Sequence, residues 1–249
     1  LGLYGRKVEV VSDCTEEIML LWAMQQPILS KHNAFVSQSS LQLRIEACGR
    51  PLCILQSPSS LGAAGVTGSV MWDSGIVLGK FLEHSVESKA IHFQGKKVVE
   101  LGSGCGLVGL TAAYLGGEVI LTDQHSMLRL LRKNVESNLD GNIRGSATVA
   151  ELTWGDYFDQ HFTDPPPDFV VGSDIVFSES GVEDLMDALG QLCGRETTVI
   201  LAAELRNDEI LEYFLEAATK EFTVGRVDGE NWHPEFRTHR VVIYVLVKK

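Results

Sequence analysis

The run from Lys97 to Leu110 carries the residues best suited to chemistry. Val98 and Val99 lead into Glu100, then Gly102, Gly104 and Gly106 fall at alternate positions, and an apolar helical pattern opens at Leu107. Glycines at such spacing let backbone come close to a ligand and make turns that a Cβ forbids. A helix starting there turns free N–H groups and its positive dipole end toward the loop. Together these features describe a cradle for a nucleotide-type cofactor at the mouth of a parallel α/β sheet.

Gly104 to Gly109 spells a literal G-x-G-x-x-G, the dinucleotide fingerprint. Its phase is wrong, because Gly102 and Ser103 separate it from the strand; counted from Gly102, the third glycine of that pattern is Leu107. Read from Glu100, the spacing Glu-x-Gly-x-Gly-x-Gly resembles the first motif of class I methyltransferases, which bind S-adenosylmethionine. That resemblance implies that Glu100 lies near the methionine amino group and that Gly102, Gly104 and Gly106 make room for the methionine and ribose.

Other strand ends carry polar groups too. Asp123 follows the glycine loop by roughly the ~20 residues at which an acid meets ribose hydroxyls, or else it caps the next helix. Trp72, just before a helix, and Trp154, just after a strand, suit either a cofactor wall or the core. Ser173-Asp174-Ile175-Val176-Phe177 is the catalytic candidate. Methyl transfer from a sulfonium needs a desolvated, oriented nucleophile at short range rather than strong acid–base chemistry. A lysine acceptor must first lose its proton. Asp174 can orient the resulting amine, and the Phe177 ring can favour the methylated ammonium. Asp164-Pro165-Pro166-Pro167-Asp168-Phe169 resembles the Asp-Pro-Pro-aromatic signature of adenine and glutamine methylases, but it precedes its strand instead of following it. It reads as a rigid approach to that strand.

The elements that must position these groups are legible as well. From Lys97 the pattern alternates strand and helix, with strands at Lys97–Leu101, Glu118–Thr122, Ala147–Leu152, Phe169–Ser173 and Thr197–Ala203. Helical stripes follow at Leu107–Leu115, Leu128–Leu139, Val182–Leu192 and Ile210–Ala218. Phe222–Arg226 and Val241–Val247 close the chain as an antiparallel hairpin. Alternating β and α units give a parallel sheet with right-handed crossovers. Upstream, Val8–Val11 reads as a strand, Glu16–Met24 as a helix broken near Pro27, and Leu41–Ala47 with Leu52–Gln56 as a β-hairpin. Ser57–Gly68 reads as a loop, and Asp73 as the N-cap of the helix that follows Trp72.

Composition narrows the partners. The chain of 249 residues is 45% hydrophobic, with 21 basic and 33 acidic side chains and a net charge of −12. Such a balance opposes a phosphate backbone and favours a basic partner, so no nucleic acid is expected. No apolar run approaches the ~18 residues of a membrane span, and no membrane partner is expected. Five scattered cysteines without a C-x-x-C, and seven histidines without ligand spacing, point to a reducing compartment and to no metal.

Taken together, Gly68–Asp73, Glu100–Gly109, Thr122-Asp123, Leu152–Trp154, Pro166–Phe169, Ser173–Phe177, Glu204–Arg206 and Glu235–Arg237 resemble methyltransferase family 16, the seven-strand protein-lysine methyltransferases. The resemblance implies a Rossmann-like class I fold over residues 68–249, with a seven-stranded, mostly parallel sheet. Residues 1–67 would form an N-terminal extension bearing the hairpin. It implies S-adenosylmethionine as cofactor and S-adenosylhomocysteine as product, with Trp72, Gly102, Asp123, Trp154 and Ser173 lining the site and Asp174 to Phe177 beside the acceptor nitrogen. Phe177 replaces the tyrosine of the family's Asp-x-x-Tyr segment. The implied partner is a lysine-bearing protein, with chaperones and ATPases as candidates, and the implied enzyme is a cytoplasmic monomer with the nucleus as a second location. Competing readings are a cofactor-binding interaction protein with little turnover, a small-molecule methyltransferase and, given the glycines, a nicotinamide oxidoreductase.

Overall fold

The computed structural model describes residues 1–25, 33–61, 67–139 and 143–249. Its elements in chain order begin with β1 (Glu9–Val10), α1 (Cys14–Met24), β2 (Gln42–Ala47), β3 (Arg50–Leu55) and α2 (Asp73–Glu87). The alternating part comprises β4 (Lys97–Leu101), α3 (Leu107–Tyr114), β5 (Glu118–Asp123), α4 (Leu128–Asn138), β6 (Ser146–Glu151), α5 (Gln160–Thr163) and β7 (Phe169–Ser173). It continues through α6 (Glu179–Leu192), β8 (Thr198–Glu204), α7 (Asp208–Glu221), β9 (Phe222–Arg226) and β10 (Val241–Lys248). The expected break near Pro27 and the middle of the Ser57–Gly68 loop lie outside the described residues.

The main sheet runs β1-β9-β10-β8-β7-β4-β5-β6. The five strands β4 to β8 are parallel, and β10 inserts antiparallel between β8 and β9. β4 and β7 are neighbours although β5 and β6 intervene in sequence, so the chain reverses its direction of travel across the sheet at β4. Ligands bind α/β sheets at such a switch point, beyond the carboxyl ends of the strands. The switch lies directly below the glycine loop.

Helices cover both faces. α2, α3, α4 and the β2–β3 hairpin share one apolar layer with the sheet, and α1, α6 and α7 share the other. Strands covered on both faces read as unbroken apolar runs. β8 (TVILAAE) is such a run, with all seven residues buried. Helix starts are set by local side chains: Ser178 accepts from Gly181 N–H at the start of α6, and Asn207 accepts from Glu209 and Ile210 N–H at the start of α7.

Two features depart from the sequence expectations, and a third, the docking of the expected hairpin, lies beyond them. The sheet has eight strands, because the two-residue β1 pairs antiparallel with β9 (Glu9 opposite Arg226). Buried Glu17 of α1 holds that edge, accepting from Tyr244 Oη at 3.0 Å and lying 2.9 Å from Arg226 Nε. At α2, Trp72 rather than Asp73 is the N-cap. Asp73 is the first helical residue, where an acid suits the dipole, and its carboxylate accepts from the backbone of Ala34 (2.6 Å) and Phe35 (3.1 Å). Finally, the hairpin docks through two amides one turn apart on α4. Asn138 Oδ1 accepts from Cys53 N–H at 2.7 Å, and Asn134 Oδ1 from Leu55 N–H at 2.9 Å, so the outer edge of β3 is paired by side chains. Asn134 Nδ2 also donates to Leu55 O (3.0 Å) and Cys105 O (2.9 Å), tying hairpin and glycine loop together.

Candidate active site

The glycine loop leaves β4 through Gly102, whose φ of +61° lies in the left-handed region. A Cβ there would come within 2.8 Å of Ile175 Cγ2 and 3.5 Å of the Trp154 ring, so the bare backbone lets Trp154 close over the loop. Asp123 at the end of β5 fixes the loop from the side, accepting from Gly104 N–H at 2.7 Å. Burial raises the Asp123 carboxyl above its ordinary range, and the N–H groups of Gly104 and Gln124 partly offset this. Gly106 is different. With φ +87° it starts α3, and a Cβ there would strike Leu131 Cδ1 at 2.7 Å. Its Cβ direction faces the packing against α4, and its neighbours Cys105 and Leu107, rather than Gly106 itself, line the cavity.

Glu100 lies beneath this loop and is 2% exposed. Its Oε2 accepts from Gly109 N–H at 3.1 Å. Gly109 is required by closeness alone, since a Cβ there would sit 2.4 Å from that oxygen. Burial pushes the Glu100 carboxyl up to about 8, against the lowering effect of hydrogen bonds from Ser103 and Gly109.

Above the switch point a cavity of about 440 Å³ opens, a size suited to a small-molecule ligand. Glu100, Gly102, Gly104 and Asp123 line one side, and Trp72, Trp154, Ser173, Asp174 and Phe177 complete it. Sequence reasoning missed Met71, Met127 and Asp184, which also border it. Met71 stands in the irregular segment before α2 and Met127 in a single 3-10 turn before α4, where no periodicity marks a side chain as cavity-facing. A nucleoside bearing an amino acid fits this donor set: acids stand at the ends of two adjacent strands, glycine backbone forms the floor, and two indoles with two thioethers offer flat apolar surface. Trp72 is tethered by its own Nε1–H, which donates to Thr67 O at 3.2 Å.

At the far end Asp174 has φ +58°, a left-handed conformation uncommon for aspartate. Its N–H donates to Ala202 O at 2.8 Å, and its Oδ2 meets Arg206 Nη2 at 2.5 Å. Arg206 also reaches Glu204, with Nε 3.1 Å from Oε2, and its guanidinium lies 4.1 Å from the centre of the Trp72 ring. Burial raises the Asp174 carboxyl to about 6; Arg206 opposes the shift and Glu204 adds to it. Phe177 stands at the rim, 51% exposed. Arg206 was missed as a site residue. Its signal was the Glu204-x-Arg206 pair placed directly after a strand.

The cavity therefore has a buried acid and glycine floor at one end and, at the other, two carboxylates bridged by a guanidinium beside an exposed ring. Comparison with known proteins shows which family carries this cavity. The family described as lysine methyltransferase matches residues 55–221. The chain belongs to the lysine methyltransferase family. Among its relatives is protein N-lysine methyltransferase METTL21A of Mus musculus, 37% identical over 186 residues, spanning 75% of this chain and 79% of that one. EEF1A lysine methyltransferase 3 of Mus musculus is 37% identical over 181 residues, spanning 72% and 73%. Solved structures agree on the fold. The T. thermophilus 16S rRNA N2 G1207 methyltransferase, in complex with AdoMet and guanosine, has a TM-score of 0.55 at 15% identity, covering 86% of this chain and 52% of that one. The glycopeptide N-methyltransferase MtfA complexed with S-adenosylmethionine has a TM-score of 0.52 at 13% identity, covering 70% and 94%. This lysine methyltransferase family chain thus keeps a class I methyltransferase architecture.

Proposed function

We propose that the chain is an S-adenosylmethionine-dependent protein-lysine N-methyltransferase whose acceptor amine enters beside Asp174. The observation that carries this reading is that one cavity joins the glycine loop, Glu100 and Asp123 to Asp174 and Phe177. Glu100 and Asp123 would hold the amino-acid and ribose ends of the cofactor, and Trp72 and Trp154 its flat ring. When bound, the cofactor supplies a sulfonium methyl that passes to the nitrogen lone pair as the carbon–sulfur bond breaks. The protein's part is proximity and orientation. Asp174, ionised near neutral pH, accepts hydrogen bonds from the neutral amine and directs its lone pair inward. Phe177 offers a ring face to the methylated ammonium.

The acceptor class is a lysine of a protein. The motifs of the chain are similar to those of the valosin-containing-protein lysine methyltransferase, whereas one relative above is named for EEF1A; a protein lysine is common to both. The test is methyl transfer from radiolabelled S-adenosylmethionine to whole-cell lysate. A labelled band from the wild type, lost in Asp174→Ala while S-adenosylhomocysteine still binds, supports the assignment. Binding with no band from the wild type would instead favour a cofactor-binding interaction protein.

A further inference from the structure

The geometry points to Arg206 as a positioning residue for the methyl acceptor: it bridges Asp174 and Glu204, lies on the Trp72 ring, and so holds the Asp174 carboxylate in place at the end of the cavity. The inference rests on the methyl-transfer reading and concerns a side chain that does not itself line the cavity.

Asp174 occupies a backbone conformation that non-glycine residues adopt only when their surroundings over-determine it. Three contacts do so here. Its N–H is tied to Ala202 O in β8, its Oδ1 accepts weakly from Glu204 N–H at 3.4 Å, and its Oδ2 receives Arg206. The first two are made to backbone groups of β8 and do not depend on the Arg206 side chain. Among the described residues, Arg206 is the partner that holds Oδ2. Arg206 is itself clamped: Glu204, with a side chain only 4% exposed, takes its Nε, and the Trp72 indole supports its flat face. A guanidinium is suited to this because its rigid fork can serve two carboxylates while its face stacks on an aromatic ring.

The cluster also sets charge. Around Asp174 stand Arg206 and Glu204 from the end of β8, with Asp73 of α2 beyond Glu204 and Asp184 of α6 on the same cavity. Arg206 is the single cation in this group. One cation between two buried carboxylates keeps Asp174 available as an acceptor near neutral pH. It also offsets part of the negative field of these carboxylates, a field that by itself would hold the lysine as its ammonium. By joining the end of β8 to Trp72 at the start of α2, Arg206 couples the acceptor side of the cavity to the wall proposed to hold the cofactor.

The test uses the full chain with 13C-labelled aspartate carboxyls, the Asp174 resonance being assigned from Asp174→Asn. In Arg206→Met, whose side chain still packs on Trp72, the Asp174 titration midpoint should rise from about 6 by roughly one to three units. Arg206→Lys should restore part of the shift. The acid limb of methyl transfer to lysate protein should move up by the same amount, with S-adenosylhomocysteine affinity retained. An unmoved Asp174 midpoint in folded Arg206→Met, or a loss of activity at all pH values that tracks lost cofactor affinity, would overturn the inference and leave Arg206 a mere strut for Trp72. A wild type that titrates as described but labels no lysate protein would instead sink the methyl-transfer reading.

Discussion

Glu100→Gln examines how the buried end of the cavity recognises a charged ligand. In the free protein burial holds the Glu100 carboxyl near 8, so at pH 7 only about a tenth of molecules carry the negative charge. A cofactor amino group is a cation, and pairing with it favours the ionised form. Binding should therefore expel close to one proton per ligand at pH 7. The dissociation constant of S-adenosylhomocysteine should fall about ninefold from pH 6 to 7, about fivefold from 7 to 8, and less than twofold above that, which follows the ionised fraction of a group titrating at about 8. Calorimetry in buffers of different ionisation enthalpy reads the proton directly. Glu100→Gln should release none and bind weakly with a flat pH profile across that range. Methylthioadenosine, which lacks the amino acid, should release none from the wild type either. The same side chain contributes to stability in the opposite sense. Below its ordinary value of 4.5 it is protonated in folded and unfolded chains alike, and that contribution is lost as pH rises toward about 8, where the folded state must ionise it in place. Glu100→Gln should remove this loss from the free protein's melting profile. Buffer-independent binding heats in the wild type, or proton release that persists in Glu100→Gln, would refute the reasoning.

Two further perturbations follow from the packing. Asn134→Ala removes three hydrogen bonds, to Leu55 N–H, Leu55 O and Cys105 O, and at about 1 kcal/mol net each it should cost about 3 kcal/mol. Thermal unfolding should fall by roughly 6–12 °C, with faster amide exchange at Leu55; a loss under about 1 kcal/mol would contradict the docking role. Gly102→Ala places a Cβ at positive φ and against Ile175, a strain of about 1–3 kcal/mol, and should weaken S-adenosylhomocysteine binding by displacing Trp154. Gly106→Ala meets Leu131 instead, so calorimetry on the folded variant should show lowered stability with binding largely kept. Equal losses of affinity in the two would mean that Gly106 belongs to the site after all.

The order of elements from Lys97 onward was legible because each element carries its own period. β8 is a continuous apolar run, and the stripes of α6 and α7 recur at helical spacing. The cradle was legible for a related reason: Glu100, Gly102 and Gly104 are neighbours in sequence, so their spacing already states the local geometry. Asp123, Trp154 and Asp174 could be listed as candidates because strand ends are readable, and strands in a parallel sheet end on one side.

What the chain could not state is which side chains meet across elements. Gly106 and Gly104 look alike in sequence, yet one faces Leu131 and the other Asp123 and Gly68, a difference set by how α4 packs. Asp73 looked like a cap until the backbone of Ala34 and Phe35 arrived to take its carboxylate. β1 is two residues long, so its pairing depends on the edge that β9 presents and on the ion pair of Glu17 with Arg226, more than 200 positions apart. The Asp174–Arg206–Trp72 cluster joins a strand end, the turn after another strand and the start of a helix. Periodicity carries information within an element, whereas hydrogen bonds, burial and the resulting shifts in acidity depend on distances that exist only once the sheet and its two helical layers have closed.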